Sequence, residues 1–115
     1  MINYHAELVS ALNNILPTHY ELTLHRGLST PCISYMEISN IDAEVGDTLG
    51  YSRIQYQIKV WSNRIDEIQR YALEIDAVVR PLGFTRVSCN ELHDRESTMI
   101  QKIMTYEAKG LEEFK

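Results

Sequence analysis

Long hydrophobic runs are missing from this sequence, and no stretch approaches the roughly 20 apolar residues that a membrane-spanning helix needs. Disulfide pairing has little to work with. The two cysteines, Cys32 and Cys89, lie far apart and outside any C-x-x-C spacing, so they read as small hydrophobes of a chain made in a reducing cytoplasm. Basic residues are the minority: 11 Lys and Arg stand against 16 Asp and Glu, a net charge of -5, which disfavours binding nucleic acid through its phosphates. None of the patterns G-x-x-x-x-G-K-[ST], G-x-G-x-x-G or G-x-S-x-G occurs, which removes the commonest nucleotide-binding and hydrolase readings. Met1, Ile2, Asn3, Tyr4 and His5 include no basic segment leading into an apolar one, so no signal peptide is expected. Internal repeats and low-complexity tracts are missing too.

What is present is an ordinary globular composition, 44% apolar and 23% charged over 115 residues, enough for one core without disulfides or metal. A single domain is expected. Leu8, Val9, Leu12, Ile15 and Leu16 fall on one stripe and predict a helix over 3–16, stopped by Pro17. Residues 21–24 form a short strand candidate, and His25, Arg26 and Gly27 a turn. A second strand, 31–38, carries apolar side chains on both faces: Cys32, Met36 and Ile38 on one, Ile33 and Tyr35 on the other.

The segment SNIDAEVGDTLG, 39–50, reads as a loop that is mobile in an isolated subunit, its charges being Asp42, Glu44 and Asp47. These carboxylates are too irregularly spaced for the calcium loop of an EF-hand. Next, IQYQIKVWSN alternates strictly. Ile54, Tyr56, Ile58 and Val60 define a core face, while Gln55, Gln57, Lys59 and Trp61 define the other. Asn63, with Asp66 three residues later, suggests a capping box for a helix carrying Ile65, Ile68, Ala72, Ile75, Val79 and Leu82, closed by Pro81 and Gly83. Residues 84–90 read as a strand with Val87 and Cys89 on one face and Arg86 and Ser88 on the other; 91–97 is a charged connection. The pattern of 99–108 suits either a helix or a strand, and the polar end 110–115 is expected to fray.

Two places could carry function. In ELHDRE, the side chains of Glu91, His93, Asp94 and Glu96 could hold a metal, or His93 could serve Cys89 as a base. No second cluster at a recognised spacing supports this, and a solvated hairpin connection is the simpler reading. His5, His19 and His25 form no H-x-x-x-H pair. The other place is the outward face of Gln55, Gln57 and Trp61. Neutral amides bury against a partner at lower cost than charges, and tryptophan is favoured at interface centres. Alternatively, Trp61 folds over the first turn of the following helix.

The phrases PCISYMEISN, YQIKVWSN, VVRPLGFTR and KIMTYEA, with the order of elements around them, resemble the tail-completion and tail-terminator proteins of long-tailed bacteriophages. The resemblance implies an α+β subunit in the order α-β-β-β-α-β-β, an antiparallel sheet of four to five strands with two helices on one face. It implies that 99–108 is the final strand. It also implies a structural virion protein, not an enzyme, that forms a ring of six at the head-proximal end of the tail and contacts the tail tube protein and the head connector. DNA would pass through its lumen without specific binding, and no cofactor, metal or membrane is involved. Gln55, Gln57 and Trp61, with Asp42, Glu44 and Asp47 of the preceding loop, are the interface residues expected from the chain itself. The competing reading is a small cytoplasmic enzyme or a ligand- or metal-binding module using 91–96.

Overall fold

The computed structural model describes residues 5–20, 30–44, 50–95 and 98–111. The elements run α1 (His5–Asn13), β1 (Thr18–Tyr20), β2 (Cys32–Glu44), β3 (Gly50–Ser62), α2 (Ile65–Val79), β4 (Thr85–His93) and β5 (Ile100–Leu111). The five strands form one sheet in the order β1-β2-β3-β5-β4. The fold is α+β with two helices, as the sequence implies. Pairing is antiparallel except where the short β1 runs parallel to β2, with His19 opposite Ser34. The strand and turn expected over 21–27 lie outside the described residues, as does 112–115.

The core forms where the two helices lay their stripes on one sheet face. Leu8 and Leu12 of α1 and Ile68, Ala72, Ile75 and Val79 of α2 join Ile33 and Tyr35 of β2, and the Ile54, Tyr56, Ile58, Val60 row of β3. From β5 come Ile100, Met104, Tyr106 and Ala108, alternate residues of a strand, which resolves the ambiguous last element. Tyr56 meets Phe84 edge to face with ring centroids 5.9 Å apart. Its phenol is pushed up to about 12 by burial and by the Glu37 carboxylate.

Several local expectations are corrected. Residues 39–44 continue β2, from Ser39 opposite Gln55 to Glu44 opposite Gly50. Few apolar side chains suggested a loop, but a ladder partner satisfies the backbone of a polar segment in a strand just as well. Residues 45–49, including Asp47, lie outside the described residues. Asn63 does not cap α2; Arg64 takes that position without a side-chain cap bond. The bonding role passes to Ser62, whose Oγ accepts from the Arg64 N–H at 3.1 Å and donates to Glu67 Oε2 at 2.7 Å. Asp66 instead meets the Arg64 guanidinium. Ile65, at the first position of α2, is half exposed, so the buried stripe starts one turn later. Gly83 does close the helical segment, with φ 105 in the left-handed region that glycine enters freely.

β4 runs through His93, so the connection expected at 91–97 begins after it. A bulge between Arg86 and Ser88 then changes its faces: Arg86 lies opposite Tyr106 and Cys89 opposite Met104, both on the helix side, while Val87 falls in the bulge. A second bulge lies in β2 between Glu37 and Ser39. Helix and sheet are tied together at Asp76, which accepts from the Tyr106 hydroxyl at 3.0 Å and from Arg80 Nε at 2.6 Å, with Arg86 at 3.7 Å. Because β4 begins opposite Glu107, the end of β5 and its partners on β3 and β2 extend past it, and the molecule measures 54 × 23 × 22 Å.

Candidate assembly interface

With both helices on one side, the other face of the sheet carries no described element. β3 presents Gln55, Gln57, Lys59 and Trp61 there, all half-buried, between Met36 of β2 and the Ile103 and Thr105 positions of β5. The strand alternation therefore places Gln55, Gln57 and Trp61 on one surface that no described element covers, as the sequence suggests. Amides and charges are mixed on it: Gln55 Nε2 donates to Glu107 Oε1 at 3.1 Å, Arg53 lies 3.5 Å from the same carboxylate, and Lys59 adds a further cation to the β3 row.

Trp61 does not fold over α2. Its indole N–H donates to Ser34 Oγ at 2.8 Å, across the β2–β3 ladder, with the Lys59 ammonium 5.9 Å from the ring. Cys32, directly opposite Trp61, and Ser34 are buried on the face that carries no described helix, whereas Ile38 is exposed. Burial also raises the Cys32 thiol above its usual range. Fixing the ring in this way gives the surface a rigid, amphipathic feature with part of its area still open to solvent. Asp42 and Glu44 take ladder positions opposite Ser52 and Gly50, farther along the same strands.

The ELHDRE residues are directed elsewhere. Glu91 accepts from Gln69 of α2 at 3.2 Å, lies 3.8 Å from Lys102 Nζ, and meets His93 Nε2 at 2.9 Å. Asp94 closes the turn to β5 by a backbone bond to Met99 at 2.8 Å. Cys89 and His93 both face the helix side, but His93 is engaged with Glu91, and Glu96 lies outside the described residues. Among the described residues no group of three or more His, Cys, Asp and Glu is placed to hold a metal. His93→Ala is expected to change unfolding free energy by no more than about 0.5 kcal/mol. Urea melts and elemental analysis of the purified variant check this; bound zinc lost on substitution would restore the metal reading.

What the sequence reading missed is the edge of the sheet. β4 is exposed along nearly its whole length, and its outer edge has no neighbour among the described strands. The available signal was Leu73, a leucine off the buried stripe of α2.

No family model matches this chain, and no curated protein matches it. Among solved structures, a chain of the virion of a native gene transfer agent particle aligns over 93% of this chain and 86% of its own length. The TM-score is 0.64 and the identity 13%, a likeness of fold. A second solved structure aligns over 98% of this chain and 99% of its own, at 12% identity and a TM-score of 0.44, too distant to support an argument. No described helix is long and apolar enough to cross a membrane.

Proposed function

We propose that the protein is a structural virion component of a phage tail: a terminator subunit that closes into a ring of six at the head-proximal end, stops growth of the tail tube and receives the head connector. The observation that carries this is the fold likeness, over 93% of the chain, to a protein of a gene transfer agent virion. A ring requires each subunit to offer two different surfaces in a heterologous contact that closes by rotation. The face of Gln55, Gln57 and Trp61 is one such surface, its amides cheaper to desolvate than charges and an aromatic side chain at its end. An acidic subunit suits a lumen through which DNA slides without sticking. The subunit acts by shape and contact, with no catalytic step.

The test is genetic. Deleting the gene from the phage that encodes it should leave tails of uncontrolled length and heads without tails in electron micrographs; joined particles with tails of normal length would refute the proposal. At the residue level, Trp61→Ala loses the Ser34 bond, a cost of about 1 kcal/mol that the monomer survives. Ring formation, read by sedimentation, should weaken by more than this. A variant that fails to fold would assign Trp61 to the core instead.

A further inference from the structure

The large apolar side chains left exposed gather at one edge of the sheet. Among the described residues, Leu73 (72% exposed), Leu92 (54%), Val87 (50%) and Ile65 (49%) lie on β4 or on the helix beside it. Ile65, Gln69, Leu73 and Asp76 share one stripe of α2. Gln69 bonds Glu91 and Asp76 lies 3.7 Å from Arg86, so this stripe runs along β4 in the opposite sense. At a helical rise of about 1.5 Å per residue, Leu73 falls level with Cys89, and Ile65 level with His93.

The outer edge of β4 has no neighbour among the described strands. From Ser88 to His93 the strand pairs with β5 without a register shift, and it carries no Lys or Pro, the residues that commonly blunt an edge. Glu91, the one acid in this run, is engaged inside the subunit by Gln69, Lys102 and His93. A straight edge flanked by apolar side chains is a template for another strand.

The symmetry of the edge selects the occupant. Residues directly opposite in an antiparallel pair share a face, so a two-fold axis relating two copies of β4 must pass through a residue and not between two. An axis through Glu91 would set two carboxylates against each other, and one through Cys89 would run the pairing into the bulge. Through Asn90, Ser88 stands opposite Leu92 of the other copy and Cys89 opposite Glu91, while the neutral Asn90 meets itself; no like charges meet. The same operation exchanges the levels of Cys89 and Glu91, and those of His93 and Val87. The helix stripes then interleave along the joint as Ile65 of the other copy, Leu73, Leu73 of the other copy, and Ile65. On the opposite face, Leu92 covers Ser88 of the other copy.

We infer that the outer edge of β4 is the docking site for the same edge of a second copy, paired antiparallel about a two-fold axis at Asn90 and roofed by Leu73 and Ile65 from both α2 helices. Main-chain bonds supply adhesion, and the apolar row supplies burial and register. Both edges are consumed, so association through this surface stops at two. It is a dimer contact of the free subunit, different from the heterologous contact of a ring, and it goes beyond the ring reading without depending on it.

The experiment uses the whole chain. Wild type should show a concentration-dependent dimer in sedimentation velocity. Leu73→Glu, at an exposed helical position, should keep the monomer melt at high dilution and weaken the dimer at least about tenfold, equivalent to 1.4 kcal/mol. In a Cys89→Ser background, Asn90→Cys should form disulfide-linked dimers under mild oxidation. Ser88→Cys and Leu92→Cys should each fail to link alone and should link when the two chains are mixed. Trp61→Ala should leave the Asn90→Cys link intact, whatever its effect on the ring. A chain that stays monomeric at every concentration without a link at Asn90→Cys overturns the inference, as does a dimer that survives Leu73→Glu or links in a different register.

Discussion

Ile58→Ala and Ile75→Ala are each expected to remove roughly 2–5 kcal/mol of stability. Both side chains are fully buried, Ile58 at the middle of the central strand and Ile75 at the middle of α2. The large end of the range is expected for Ile58. β3 is held by ladders on both sides, opposite Tyr35 and Met104, and roofed by α2, so little can move in to fill the space. Domains of this size have only about 5–15 kcal/mol in total, so either change consumes a large share. The melting temperature should fall by roughly 8–20 °C. Denaturant melts monitored by circular dichroism provide the measurement, and wild-type behaviour in both variants would mean the core lies elsewhere.

Asp76→Ala should cost about 1–3 kcal/mol at neutral pH, because it leaves the buried Tyr106 hydroxyl only the weak Met104 sulfur acceptor at 3.6 Å and leaves Arg80 and Arg86 without their shared partner. The pH dependence distinguishes this from simple loss of packing. Burial alone would raise the Asp76 carboxyl, but hydrogen bonds from Arg80 and Tyr106 outweigh it and hold the group below the usual carboxylate range. A group with a depressed folded value stabilises above its unfolded value, near about 4, and loses that contribution as pH falls through the folded one. The gap between wild type and Asp76→Ala should therefore be full at pH 6–7 and close as pH falls below about 4. A gap that persists unchanged into acid would show that the carboxylate charge contributes nothing. On the other side of the pair, burial first and the Asp76 carboxylate second push Tyr106 well above the ordinary phenol range, so it stays a donor throughout.

The sequence was most legible where a periodic pattern coincided with burial. Ile68, Ala72, Ile75 and Val79 announced α2, and the Ile54 to Val60 alternation announced β3, because each stripe faces the same core. β5 misled for a physical reason: Ile103 is an apolar residue on the face away from the described helices, and it completes a helical spacing with Ile100 and Met104 by chance. The extension of β2 was hidden because polar residues reveal a strand only through the partner that satisfies their backbone, and that partner is a different strand, β3. Bulges left no mark at all in Glu37, Ile38, Arg86 or Val87. Of the candidate interface, alternation alone placed Gln55, Gln57 and Trp61 together. The Trp61 bond to Ser34 was not foreseeable, since it spans 27 positions of the chain. An edge strand such as β4, with no buried row, offers no pattern to read.

The order of the sheet differs from the order of synthesis. β5 is the last described strand to be made, yet it lies between β3 and β4. Until 100–111 has left the ribosome, the central strand lacks a neighbour on one side, Tyr106 is missing from the core, and β4 has nothing to pair with. The nascent chain must therefore keep β3 and β4 apart without letting either find another partner, and the final insertion joins residues more than fifty positions distant, such as Gln55 and Glu107. Folding dominated by such late, non-local pairing is slow, on the order of milliseconds to seconds. The interval between synthesis and closure is when this chain is most exposed to aggregation.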